Sequence, residues 1–475
     1  MSEVSPRWVV ASVDAERPPT SEGAQGSEGA NETAAPRRVF VETWGCQMNE
    51  LDSQRMVGQL MQQGVLPTHR PEEADVILLN SCSVREKAEQ KVYSRLGEYR
   101  LLKKERPGLV LGLCGCVAQQ EGEKALKRVS DLDFVMGPAR VAELSHLVAA
   151  SRAGQRTVAT GFPADRPYEF DAISRQGEYK GMVTIIEGCN KSCTFCIVPK
   201  TRGPERSRTM SDILAEVRHL VDYGFREIEL LGQTVNHWRD PETDEDFADL
   251  LDAVAREAGV ERLRFVTSYP RDFTPAMVAQ IGRHANICPY IHLPVQSGSD
   301  RLLRRMGRGY SRADYLDLVR QLRDARAELA LSTDIIVGFP GETEEDFTET
   351  LELLEQVRFA VVFAFCYSER PGTAAPRLDG KVDPALASER LQRLFAVQDR
   401  IQRELNQQLI GRRFEILVTG WGKTPGTQSG RTSCHRIVHF PTANLPVSLG
   451  QTTWVEIETA HPHSLTARRV ADAAA

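Results

Sequence analysis

The 475-residue chain has no apolar run approaching the roughly eighteen residues of a membrane span. Its first residues lack the apolar core and small-residue cleavage site of a secretory signal. A cytoplasmic protein with no membrane association is therefore expected. Positive charge is not in excess: 59 Lys and Arg stand against 65 Asp and Glu, a net charge of -6. That balance excludes a surface that binds polyanions everywhere and leaves room only for a local basic patch. Aromatic residues make up just 7% of the chain, and no internal repeat is visible. Cysteine is the exception. Ten cysteines in a chain without a secretory signal argue against scattered disulfides and for metal or redox chemistry.

Residues 1–36 are rich in Ser, Glu, Gly, Ala and Pro and read as a disordered tail. From Arg38 onward, short apolar strands alternate with helical stretches: Arg38 to Thr43, Val76 to Asn80, Leu109 to Leu113 and Phe134 to Gly137. Helices are predicted over Asp52 to Gln63 and Ser83 to Lys104. This is an α/β domain with a parallel sheet, assigned to 37–153. A polar linker is expected over 154–174. A second βα series fills 175–408, with strands near Met182, Glu227, Arg262, Tyr290, Leu331 and Ala360. Six such units suggest a partial (β/α)6 barrel, whose chemistry belongs on the loops after the strands. From 409 to 471 the pattern becomes a small antiparallel β-barrel, with strands over Phe414 to Thr419, Arg431 to Phe440 and Thr453 to Glu458. From Gly411 to the end there are seven Lys and Arg against four Asp and Glu, a local net charge of +3.

The strongest signal is Cys189-Asn190-Lys191-Ser192-Cys193-Thr194-Phe195-Cys196, a C-x3-C-x2-C loop directly after a predicted barrel strand. Three thiolates on one tight loop can hold three irons of a cubic 4Fe–4S cluster. The fourth iron is then open to the amino and carboxylate groups of S-adenosylmethionine (SAM). This is the radical-SAM pattern. A zinc site would need a fourth Cys or His nearby, and the next histidine, His219, lies far off on a predicted helix. Gln233 and Asn236 after the second strand, and Gly338 and Gly341 after the fifth, fall where SAM contacts are needed; each turn also has a purely structural reading. Thr343 and Asp346 are spaced as a helix-capping box.

Cys46, Cys82 and Cys116 each follow one of the first three predicted strands. In a parallel sheet these loops share one edge, so the three cysteines can converge on a second 4Fe–4S cluster. The alternative is a set of buried apolar cysteines. Cys114 competes with Cys116, which is favoured because it lies further into the loop. Cys288, Cys366 and Cys434 are isolated and read as structural. No catalytic side chain beyond the cluster ligands is legible.

With both cysteine sets placed, the chain closely resembles the radical-SAM methylthiotransferases from roughly Arg38 to Val470. The resemblance implies a flavodoxin-like N-terminal domain with an auxiliary cluster on Cys46, Cys82 and Cys116. It implies a radical-SAM barrel with its cluster on Cys189, Cys193 and Cys196, and a C-terminal TRAM barrel that binds RNA. Glu42 to Asn49, Asn80 to Glu89 and Thr201 to Arg208 resemble the subfamily that modifies isopentenyl-adenosine next to the tRNA anticodon. The related subfamilies act on threonylcarbamoyl-adenosine or on a ribosomal-protein aspartate. The Lys191-Ser192 pair departs from the family, where an aromatic commonly precedes the second cysteine.

The implied reaction uses two SAM molecules. One methylates a sulfur on the auxiliary cluster, and the other yields a 5′-deoxyadenosyl radical that acts on adenine C2. An unactivated C–H is poorly suited to polar chemistry, which is why a cofactor must carry the step. The expected partners are a tRNA anticodon stem-loop carrying isopentenyladenosine, an electron donor such as flavodoxin or ferredoxin, and iron–sulfur assembly or carrier proteins. A monomer is expected. Arg412, Arg413, Lys423, Arg431 and Arg436, with a second cluster of Arg301, Arg304, Arg305 and Arg308, are candidates to grip phosphates or to form a solvated face. A non-catalytic RNA-binding redox sensor is a rival from another class, disfavoured because a sensor needs no open iron.

Overall fold

The computed structural model describes residues 37–83, 86–163, 168, 170, 173–175, 179–442 and 446–470. The tail expected over 1–36 and part of the linker expected over 154–174 lie outside these residues. The chain divides into two compact units, one running to Gly177 and including Lys200–Arg202, the other formed by the remainder.

In the first unit, β1 (Arg38–Trp44), β2 (Leu66–Pro67), β3 (Val76–Ser81), β4 (Val110–Gly115), β5 (Phe134–Met136) and β6 (Thr157–Ala159) form one sheet. Their order is β2-β1-β3-β4-β5-β6 and every pairing is parallel. This is the doubly wound, flavodoxin-like order, whose chain reversal lies between β1 and β3. Every residue of β3 and β4 is buried, as continuous apolar runs require when helices cover both faces. On one face Ile77, Leu79, Leu111 and Leu113 pack with Val92, Leu96 and Tyr99 of the helix Glu86–Glu105. On the other, Val76, Leu78 and Val110 pack with Met56 and Leu60 of the helix Gln47–Met61.

Two features depart from expectation. Thr157–Ala159, placed in the linker by composition, pairs with β5 as an edge strand. The first helix begins at Gln47 instead of Asp52, because Cys46 is extended and stands as its N-cap.

In the second unit, β7 (Lys180–Thr184) leads into a short antiparallel pair, β8 (Ile186–Glu187) and β9 (Arg206–Ser207), which brackets the central cysteine loop. β7, β10 (Glu227–Leu231) and β11 (Arg262–Phe265) form one parallel sheet; β12 (Tyr290–His292), β13 (Ala330–Val337) and β14 (Val361–Cys366) form another. A bridge between Leu263 and Ile287 links the two into a six-stranded partial barrel. Strand alternation sorts the side chains. Ile228, Leu230, Leu263, Val362 and Ala364 join the core beneath the helices. Glu227, Glu229, Arg264, His292 and Phe363 take the opposite, concave face.

β15 (Arg413–Trp421), β16 (Thr427–Thr432), β17 (Ile437–Pro441), β18 (Thr452–Ala460) and β19 (Leu465–Arg469) close a barrel around Ile416, Val418, Val438, Phe440, Val455 and Ile457. The single strand expected over Arg431 to Phe440 is two strands. The chain turns at His435, whose φ of 68° ends the pairing. This barrel meets the N-terminal ends of the partial-barrel strands. Arg262 donates to the Arg431 carbonyl at 3.0 Å and pairs with Glu415 at 2.8 Å. Arg264 donates to the Thr432 carbonyl at 3.1 Å, and Tyr290 stacks on His435. Among the described residues no helix is long and apolar enough to cross a membrane.

Candidate metal centres

The first unit brings its three cysteines together by register. Trp44 pairs with Ser81 and Ser81 with Gly115, so Cys46, Cys82 and Cys116 leave adjacent strands at one edge of the sheet. That edge lies at the chain reversal, where open α/β sheets bind ligands. Asn80 anchors the loops: its amide donates to the Asn49 carbonyl and the Ser53 hydroxyl, both at 2.8 Å. The Cys46 thiol donates to the Asn49 side chain at 3.3 Å.

A hydrogen bond from Cys82 holds the Cys46 thiol down to about 6 against the effect of burial, helped by Arg202 and by the N–H groups of Met48 and Asn49. Burial pushes the Cys116 thiol up, with Arg202 pulling the other way. Arg202 is buried and pairs with Asp52 at 2.8 Å. Spacing assigned it no role, because its partners lie far back in the chain. Cys114 goes elsewhere. It points into the core with Phe134 and Met136, and burial drives its thiol well above the ordinary range.

In the second unit, the loop from Cys189 to Cys196 follows β8. Gly188 has φ 79°, and a Cβ there would overlap the Pro204 carbonyl oxygen. The Gly188 N–H donates to the Gln233 side chain, and the Cys189 N–H donates to the Gly203 carbonyl at 3.0 Å. Asn190 and Glu205 exchange two bonds of 3.1 Å. The Thr194 N–H donates to the Met306 carbonyl at 2.9 Å. Burial raises the Cys189 thiol, opposed by the Thr234 hydroxyl and the Lys191 N–H. Burial pushes Cys196 up to about 12. Cys193 receives a bond of 3.4 Å from the Arg308 guanidinium.

Both donor sets are purely thiol, the ligand type that suits iron–sulfur clusters. Among the described residues no three Cys, His, Asp or Glu side chains converge tightly enough for a single metal ion. A cubic cluster takes each thiolate on a different iron and so fits wider spacing.

The expected SAM contacts fare differently. The Gln233 oxygen holds the Gly188 N–H, so it supports the cysteine loop. Asn236 is buried, and both ends of its carboxamide bond the Tyr269 backbone at 2.8 Å. These two bonds hold the Tyr269 backbone in place. Gly338 has φ 70°, and its N–H donates to Glu342 at 2.7 Å. A Cβ there would run into Ala387 of the helix Pro384–Gln407. Gly341 donates to the Gly380 carbonyl and lies against Arg305. Both glycines thus shape the turn that leads to the helix Glu344–Val357, where the Thr343–Asp346 capping box is present.

The second arginine group does not form one uniform face. Arg301 pairs with Asp346, Arg305 pairs with Asp379, and Arg308 is buried; Arg304 is exposed. In the C-terminal barrel Arg412 and Lys423 are exposed, Arg413 pairs with Glu456, and Arg436 turns inward to Asn406.

Three family models match: the Uncharacterized protein family UPF0004 over residues 38–137, the Radical SAM superfamily over 183–354 and the TRAM domain over 407–470. A tRNA-2-methylthio-N(6)-dimethylallyladenosine synthase of Pelobacter propionicus is 46% identical over 405 residues, 85% of this chain and 92% of that protein. The protein of the same name from Ruegeria pomeroyi is 44% identical over 435 residues, 90% of this chain and 98% of that protein. Among solved structures, the radical S-adenosylmethionine methyltransferase TsrM of Kitasatospora setae shares the fold, with TM-score 0.52 at 15% identity, covering 83% of this chain and 78% of that one. Matched along most of its length by relatives that carry this name, and carrying a radical SAM match of its own, the chain belongs to the tRNA-2-methylthio-N(6)-dimethylallyladenosine synthase family within the radical SAM superfamily.

Proposed function

We propose that this chain transfers a methylthio group to adenine C2 of N6-isopentenyladenosine beside the anticodon of tRNA. The observation that carries the reading is the register Trp44, Ser81, Gly115, which puts three cysteines at one sheet edge in addition to the central triplet. Two separate all-thiol groups, each of three, suit a reaction that needs two open irons. When bound, such clusters supply the electron that cleaves SAM and a site for sulfur. Cys189, Cys193 and Cys196 are assigned to the SAM cluster, and Cys46, Cys82 and Cys116 to the auxiliary one. In this reading two SAM molecules serve one turnover, as methyl donor and as radical source. An external reductant such as flavodoxin or ferredoxin, iron–sulfur carrier proteins and a cytoplasmic setting belong to the same proposal.

The protein's own residues shape the substrate side. On the concave face, Phe363 and Phe365 are each 42% exposed, although they lie on a barrel strand. Register places Phe363 beside Asp334 and Phe365 beside Ile336. His292 contacts the Phe363 ring edge and lies 3.4 Å from Asp334. The two exposed phenyl rings suit a branched five-carbon chain. The modified base must leave the anticodon-loop stack to reach such a recess. The exposed Arg412 and Lys423 are suited to phosphate contacts.

Two full-length variants test the assignment. Replacing Cys46, Cys82 and Cys116 with Ala is expected to leave 5′-deoxyadenosine formation and abolish methylthio product. Replacing Cys189, Cys193 and Cys196 is expected to abolish both. Product from either variant contradicts the proposal.

A further inference from the structure

Arg308 follows the helix Asp300–Met306 and is only 5% exposed. Its Nε donates to the Tyr310 hydroxyl at 2.8 Å and its Nη2 to the Pro294 carbonyl at 2.8 Å. Its Nη1 donates to the Cys193 sulfur at 3.4 Å. The guanidinium lies 4.5 Å from the Tyr269 ring centre and 5.3 Å from that of Tyr310. Among the described residues these partners are a phenol, a carbonyl, two rings and a thiol, and none is a carboxylate. The other buried arginine beside a cysteine group, Arg202, does have one, in Asp52.

A buried cation without an anion is costly, and proteins retain one where an opposite charge arrives. Three thiolates on an oxidised 4Fe–4S core carry net negative charge, and reduction adds one more. A fixed cation bonded to one of those thiolates favours the more negative, reduced state. Hydrogen bonding and charge at the sulfurs are what set cluster potentials.

We infer that Arg308 is a positioning residue for the central cluster: it bonds the Cys193 thiolate and raises the cluster's reduction potential, so that electron delivery to SAM depends on it. The inference rests on Cys193 being a cluster ligand. Cys189 is served differently. Cys189 accepts from the Lys191 N–H and contacts the Thr234 hydroxyl, both at 3.5 Å and both neutral. The guanidinium hydrogen bond therefore goes to Cys193, while its charge also acts on Cys196.

The test uses the full-length Cys46, Cys82 and Cys116→Ala protein, anaerobically loaded, so that only the central cluster is observed. Iron content is measured first, then a dithionite potentiometric titration is followed by electron paramagnetic resonance without SAM. If this parent binds no cluster, the ligand assignment fails, independently of Arg308. Arg308→Gln is expected to keep its iron and lose at least tenfold in the ratio of reduced to oxidised cluster at a fixed potential, about 59 mV for one electron. Arg308→Lys is expected to restore most of that loss, and Tyr310→Phe to leave the potential near the parent's. A loaded Arg308→Gln protein with the parent's potential overturns the inference. Should Arg308→Gln not load, a charge role still requires Arg308→Lys to load; a folded Arg308→Lys protein without iron overturns it equally.

Discussion

At the residue scale, chemistry that is local in sequence was legible and chemistry that depends on distant partners was not. The central triplet lies on one loop, so its spacing alone shows three thiols together. Cys116 was favoured over Cys114 only because it lies further into the loop, since strand alternation puts residues two apart on one face. The strand ends at Gly115, with φ 87°, so Cys116 leaves the sheet edge while Cys114 packs into the core beside Phe134. Iron analysis of anaerobically purified single variants checks this. Cys116→Ala should lose the auxiliary cluster, about half of the iron when both sites are filled, and Cys114→Ala should retain it. The reverse pattern removes the assignment. Arg308 could not be read in advance, since its thiol partner lies 115 positions away. A run of nearby arginines resembles a phosphate-binding face until their carboxylate partners are seen.

At the scale of elements, long apolar strands were legible and short edge strands were not. β3 opens on four consecutive apolar residues and β4 carries no charged or amide side chain, whereas β2 and β6 have two and three residues and exist because a sheet edge is available. Turns carry sharper consequences. Gly188→Ala places a Cβ against a backbone carbonyl at positive φ, a strain of at least ~1–2 kcal/mol on the cysteine loop. The variant should fold with unchanged circular dichroism and load markedly less iron at the central site; normal loading would mean that the loop tolerates distortion.

The capping box of the helix Glu344–Val357 has a pH signature. Burial opposes ionisation of Asp346, but bonds from Arg301, Ser299 and Thr343 outweigh it and hold the carboxyl down to about 2. A depressed folded-state value gives stability that is present above the unfolded value and lost as pH falls through the folded one. Asp346→Asn should therefore cost about 2 kcal/mol at neutral pH. The difference from wild type should shrink between pH 4 and pH 2, as followed by chemical denaturation at each pH.

At the scale of the molecule, the order of modules was legible from changes in hydrophobic period, while the seam between the radical-SAM barrel and the C-terminal barrel was not. That seam is built from Arg262 and Tyr290 at strand starts and Arg264 two residues further along β11, meeting Glu415, His435 and Thr432. Polar residues at the start of a strand look like solvent-facing ends until another module covers them. Arg262→Ala removes the pair with Glu415 and the bond to the Arg431 carbonyl, a loss of ~2 kcal/mol at the seam. Limited proteolysis should then cut faster between Gln408 and Arg412, with central-cluster iron unchanged; an unchanged cleavage rate would show that the seam does not depend on Arg262.

The central claim joins two cysteine groups, a SAM-dependent radical and one modified adenosine in tRNA. The most direct measurement is an anaerobic reaction of the loaded protein with SAM, reductant and isopentenylated tRNA, read by nucleoside mass spectrometry alongside 5′-deoxyadenosine. The account predicts that the 2-methylthio nucleoside appears together with 5′-deoxyadenosine. Formation of 5′-deoxyadenosine with an unchanged nucleoside would contradict the substrate assignment, and the absence of both would contradict the enzyme class.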